Sequence, residues 1–157
     1  LSTVAAAMVL SVFALAFLPG RLGFTLFGDR ISDMRRLLFI LFALDAIGVF
    51  AIAFAEHIWP IGIFVLCVGI AHGALTPLWP VAWADYFGTK HFGLLSGALD
   101  IPQMASTAVG PIIMGLVFDW NGEYQVAIFL FATLLAIIAP FFLLIGRANF
   151  IKRYERI

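Results

Sequence analysis

Five apolar runs dominate the chain, approximately 2–28, 37–55, 58–86, 92–118 and 124–145, joined by connections of only a few residues. Each is long enough to cross about 30 Å of hydrocarbon as an α-helix. Inside a bilayer only helices and closed barrels satisfy their own backbone polar groups. The runs are too long for barrel strands and do not alternate apolar with polar residues. The sequence therefore predicts an all-α membrane protein with five transmembrane helices over residues 1–146 and a basic tail over 147–157. Composition agrees, since 64% of residues are hydrophobic and 11% charged, against about 25% charged in ordinary soluble domains. The expected surroundings are a lipid bilayer, with no nucleic-acid partner, cofactor or metal. The single Cys67 permits no intrachain disulfide.

The basic residues set the expected topology. The first connection holds Arg30, Arg35 and Arg36, the third holds Lys90 beside His91, and the tail holds Arg147, Lys152, Arg153 and Arg156. These positions fall at alternate helix ends, hence on one side of the membrane. The opposite connections carry Glu56, His57, Asp119 and Glu123 but no Lys or Arg. The positive-inside rule makes the basic side cytoplasmic, so a multi-pass protein of the plasma (inner) membrane with its C-terminus inside is expected. The chain opens on Leu1 in apolar sequence, with no basic segment of a signal peptide before it. It reads as a piece of a longer chain.

Arg21 is the one basic residue away from that side. Asp29 comes eight positions later, which at about 1.5 Å per residue places Arg21 about 12 Å inside the polar turn. A guanidinium keeps its proton, so there it needs a partner, an aqueous cavity or a ligand. It can hold a substrate carboxylate by paired, charge-assisted hydrogen bonds. It can also snorkel along its long stem, or pair with Asp100.

The fourth run carries Ser96, Asp100, Gln103 and Thr107 at spacings of four, three and four, which is one helical face. Lipid disfavours such a stripe, so it should face protein or a water-filled cavity. Either it lines a pathway or it forms an interhelical hydrogen-bond seam. Gly93 and Gly97 form a small-xxx-small pair, and Pro102 and Pro111 can bend the helix. In the third run Gly69 and Gly73 repeat the small-residue spacing, and His72, Thr76, Trp79 and Trp83 share a face. His72 can carry a proton near neutral pH or be packed and neutral. The tryptophans are cavity walls or interface anchors. In the second run Asp45 can relay protons, pair with an arginine of the preceding turn or bond a neighbouring helix. The otherwise apolar helix around it favours a structural role.

Gly28-Asp29-Arg30 followed by Arg35-Arg36 resembles the loop signature of the major facilitator superfamily, Gly-x-Leu-Ala-Asp-Arg-x-Gly-Arg-Arg. Thr25, Phe27 and Ser32 replace its first Gly, its Leu and its second Gly. The stretch Tyr86-Phe87-Gly88, Gly93, Gly97, Gly110-Pro111, Gly115, Asp119, Gly122 and Tyr124 is similar to the tenth-to-twelfth-helix region of the monocarboxylate porter and oxalate–formate antiporter branch. The resemblance covers nearly the whole chain. It implies helices 8–12 of a twelve-helix major facilitator fold, with the N-terminal half of the transporter as the missing partner. Arg21, within Pro19-Gly20-Arg21-Leu22-Gly23, falls on the branch's carboxylate-binding arginine. Proton-coupled members carry an Asp one turn earlier, where this chain has Phe17, so a coupling carboxyl would come from Asp100 or from the other half. No lysine occurs between Phe92 and Phe118, unlike in dicarboxylate exchangers. The loop signature implies a gate in which Asp29, Arg30, Arg35 and Arg36 form ion pairs, each worth about a kcal/mol, that break as the transporter switches.

The function expected is secondary transport of a small organic anion, a monocarboxylate, by alternating access, as symport with protons or as exchange. Arg21 would hold the carboxylate. Asp100, Gln103 and Thr107 would line the path, with His72 and Trp79 as further cavity residues. An enzyme is disfavoured: neither His-Glu-x-x-His nor Gly-x-Ser-x-Gly occurs. A drug or sugar porter of the same superfamily and a helical bundle without transport are the alternatives.

Overall fold

The computed structural model describes residues 3–28, 31, 33–54, 57–90 and 92–144. It is helical throughout, with α1 Thr3–Phe27, α2 Met34–Ile52, α3 Ile58–Phe87, α4 Phe92–Asn121 and α5 Gln125–Leu144. No strand occurs among the described residues. The five helices coincide with the five apolar runs. Four of them are long and apolar enough to cross a membrane: Ala7–Phe27 of α1, Ile58–Ala84 of α3, and all of α4 and α5. The 19 residues of α2 include Arg35, Arg36 and Asp45, and these charges interrupt its apolar stretch. The tail at 147–157 lies outside the described residues.

Local chemistry sets the helix ends. Asp33 precedes α2 in an extended conformation, φ −138° and ψ 91°. Its carbonyl accepts the N–H groups of Arg36 and Leu37 at 3.1 and 3.3 Å. The helix thus begins three residues before Leu37 and takes both arginines into its first turn. At the other polarity, α3 and α4 stop where the chain enters the left-handed region, at Gly88 (φ 83°) and Gly122 (φ 73°). There the N–H of each glycine closes the last turn, on Ala84 O at 2.8 Å and Phe118 O at 2.7 Å, as expected for a glycine at the residue after a helix. α4 runs through Pro102 and Pro111 as one helix.

The described residues fall into two compact units, those up to Leu78 with Ile128–Leu144, and Trp79–Ala127. In the first unit α3 is central. Val65, Val68, Ala71, Ala74, Leu75 and Leu78 are buried along it, Leu78 and Ala71 completely. α1 packs on α3 through a seam with almost no side chain in it. A Cβ added at Gly69 would lie 2.5 Å from the Ala16 Cβ, and one at Gly20 or Gly73 would collide with the backbone of Ile70 or Phe17. Small residues of this kind let helix backbones approach in lipid, where packing rather than water exclusion drives association. α2 packs antiparallel to α3, with Gly48 against Val68 and Cys67. α5 packs antiparallel to α2 through Phe42–Phe142, ring centroids 4.7 Å apart, and through Phe129 against Phe50 and Phe54 at 5.5 and 5.6 Å.

In the second unit α4 is the long element, and none of its described residues is buried. Phe118 stacks on Tyr124 at 4.5 Å across the turn made by Gly122. Gly93 and Gly97 have no atom within 4 Å of an added Cβ, so the close helix approach expected at that pair is absent among the described residues. Gly69 and Gly73 do carry one.

Candidate functional site

Two groups of polar side chains lie in the first unit. The first is in the middle third of α2 and α3. Asp45 has a buried carboxylate, its side chain 4% exposed, and His72 faces it across the interface with its side chain 53% exposed; His72 Nδ1 and Asp45 Oδ1 are 3.3 Å apart. Of the alternatives open to Asp45, the bond to a neighbouring helix is therefore the one formed. His72 is half-exposed rather than packed away. No buried side-chain polar atom among the described residues lacks a hydrogen-bond partner. The antiparallel packing of α2 on α3, set by Gly48 against Val68, is what brings this acid and this histidine together.

α1 contributes Phe17 to the same region. The Phe17 ring lies 6.3 Å from the His72 imidazole, tilted by 58°, and stands edge-on to Phe13 at 5.3 Å. Arg21 follows one turn later. Its side chain is exposed, and it has no ion pair with a described residue of its own unit. Its carbonyl accepts the Thr25 hydroxyl at 2.8 Å, which spends the polarity of Thr25 within the helix. A permanently charged guanidinium one turn from Phe17, with no carboxylate partner among the described residues of the unit, is able to receive an anion.

The second group lies at the start of α2. Arg35 grips Asp33 with two nitrogens, Nε to Oδ1 at 3.0 Å and Nη2 to Oδ2 at 3.2 Å. Its third contact, Nη1 to the Leu143 carbonyl at 3.5 Å, falls on the last turn of α5, where carbonyls lack helical partners and attract cations. Arg36 pairs with the same carboxylate at 3.5 Å and stays exposed. The hydrogen bond from Arg35, with the charge of both arginines, holds the Asp33 carboxyl below its ordinary 3.8. The loop signature pointed to Asp29 as the acid of this network; Asp29 and Arg30 lie outside the described residues. Asp33 was missed, although an acid immediately before a helix and two residues ahead of an arginine pair is a readable signal.

The remaining candidates belong to the second unit. Asp100, Gln103 and Thr107 are all exposed along α4. The hydroxyls of the stripe are satisfied by their own helix, Thr107 donating to Gln103 O at 3.0 Å and Ser96 to Gly93 O at 3.2 Å. The polar groups left for other partners are thus the carboxylate of Asp100 and the amide of Gln103. Trp79 stacks on Trp83, with centroids 6.4 Å apart and planes at 30°. Among the described residues no group of three or more His, Cys, Asp or Glu could hold a metal ion.

A profile of the Major Facilitator Superfamily matches residues 1–153. The chain belongs to that superfamily, a family of membrane transporters that act on small molecules. Neither curated proteins nor solved structures gave a match.

Proposed function

We propose that this chain takes part in secondary transport of a small organic anion, a monocarboxylate, across the plasma (inner) membrane by alternating access, with Arg21 holding the carboxylate. The observation that carries the reading is Arg21 itself. It is a permanent cation inside α1, exposed, and without an ion pair among the described residues of its unit. Bare charge in a membrane helix is costly, and a bound carboxylate removes that cost by paired hydrogen bonds. Superfamily membership supports transport of a small molecule, and the absence of lysine between Phe92 and Phe118 favours a single-carboxylate ligand over a dicarboxylate.

Asp100, Gln103 and Thr107 line the path in this reading, with His72 and Trp79 as cavity residues. The substrate rests near the midplane against the other half of the transporter, and the two halves rock about it. The basic ends of α1, α3 and α5 face the cytoplasm. There Asp29, Arg30, Arg35 and Arg36 work as a gate, in which the Asp33–Arg35 grip and its reach to α5 supply part of the closed state. Ion pairs at a water-facing surface are individually weak, which suits a gate that must open thermally.

The test is counterflow in liposomes holding the full-length protein, loaded in turn with monocarboxylates, dicarboxylates, sugars and lipophilic cations. Exchange confined to monocarboxylates is the expected result. Faster counterflow of a sugar or a lipophilic cation would refute the reading.

A further inference from the structure

We propose that the Asp45–His72 pair is the proton-binding site of this protein, with His72 Nε2 as the atom that takes up the proton and Asp45 as its fixed counter-charge. The inference deepens the anion-transport reading and rests on it only for what the proton is coupled to.

The pair is asymmetric in a way that suits a proton site. Asp45 is enclosed between α2 and α3, and the imidazole is open on its far side, the side chains being 4% and 53% exposed. With Asp45 ionised, the contact at Nδ1 requires Nδ1 to donate its hydrogen to Oδ1. That fixes the tautomer and puts the lone pair on Nε2, as in other histidines oriented by a carboxylate. A proton arriving from the open side bonds to Nε2. No other bond forms or breaks, and the pair changes from one net negative charge to none. The proton leaves by the same atom.

The charged and titratable groups around the pair are few. α2 contributes Asp45, and its two arginines lie at its start, more than two turns away. α3 contributes Cys67, beside Gly48 and therefore on the α2 side. α1 contributes Arg21, one turn beyond Phe17, whose ring touches the imidazole. The α5 residues of this unit, 128–144, contain no titratable side chain.

Charge then accounts for coupling. With no proton and no anion bound, the negative pair and Arg21 sum to zero. With a proton on His72 and a carboxylate on Arg21, the sum is again zero. Proton alone leaves one positive charge and anion alone one negative charge, both costly in a low-dielectric span. The empty and doubly loaded forms are thus the ones that reorient readily, which is one-to-one proton–anion symport.

The experiment is 15N NMR of the full-length protein in nanodiscs, labelled on its histidines. The His72 signal is identified by its loss in His72→Gln. It is expected to change protonation state over the pH range the protein withstands, with a midpoint that moves by about one unit or more in Asp45→Asn, the size of effect an adjacent charge has. A His72 signal that stays in one protonation state across that range, or a midpoint indifferent to Asp45→Asn, would overturn the proposal. A second arm uses lactate as the monocarboxylate probe in liposomes. Wild type should accumulate about tenfold per unit of inward pH gradient, and Asp45→Asn should lose the response to the gradient. Retention of the full response in Asp45→Asn counts against the proposal. Coupled titration of His72 with Asp45 in a protein that moves no monocarboxylate upholds the proton site and refutes the substrate reading.

Discussion

Gly69→Ala is expected to loosen the packing of α1 on α3 at a cost that can be separated from the ordinary effect of the substitution. A Cβ at position 69 would lie 2.5 Å from the Ala16 Cβ, whereas ordinary contact begins near 3.4 Å. The two helices must therefore part by about 1 Å, and a gap of that size forfeits a quarter to a half of each dispersion contact along the seam. The flanking contacts, Gly20 on Ile70 and Gly73 on Phe17, are made to backbone, so no flexible side chain can yield instead. Overpacking of this kind costs about 1–3 kcal/mol. Alanine also gains about 1 kcal/mol over glycine from helix propensity. Gly62→Ala, in the same helix and with nothing within 4 Å, receives that gain without the clash. The difference between the two variants should thus be about 1–3 kcal/mol, roughly 5- to 150-fold in the unfolding equilibrium. Reversible SDS unfolding in mixed micelles, followed by circular dichroism, measures it. Equal stabilities, within about 0.5 kcal/mol, would refute the seam.

Other outcomes follow from named contacts. Phe129→Ala should lower stability in the same assay by about 1–3 kcal/mol, since it removes edge-on pairs with both Phe50 and Phe54 worth about 0.5–1.5 kcal/mol each; a loss no larger than that of Leu130→Ala, an exposed neighbour, would contradict the cluster. Asp33 is held below 3.8 by Arg35, so its ionised form favours folding. That contribution is complete above pH 3.8 and disappears as the pH falls through the lowered value. The stability difference between wild type and Asp33→Asn should therefore shrink on acidification below that point, and a difference independent of pH would count against the pair.

The helices were legible because a bilayer requires about 20 apolar residues per crossing, and the charges of this chain cluster between such runs. The ends were less so. α2 begins at Met34 because the Asp33 carbonyl gathers the N–H groups of Arg36 and Leu37, which hydropathy does not register. α4 continues to Asn121 until Gly122 turns left-handed, three residues past the apolar run. The small-residue spacing at Gly69 and Gly73 and that at Gly93 and Gly97 look alike as sequence; only a neighbouring helix distinguishes them, and only the first pair has one among the described residues. The Asp45–His72 contact depends on the register of α2 on α3. Each residue was visible as an intramembrane polar group, but their 3.3 Å approach was not. Arg21 was conspicuous from the start, as a cation away from the basic side of the membrane.

The most direct measurement is substrate affinity and uptake by Arg21→Lys in the full-length protein, at unchanged membrane expression. Lysine keeps the charge but loses the planar, two-nitrogen grip on a carboxylate, worth about 1.5–3 kcal/mol as a charge-assisted hydrogen bond. Monocarboxylate affinity should therefore fall by about 10- to 150-fold, with uptake reduced accordingly. Affinity equal to that of wild type would contradict Arg21 as the carboxylate ligand.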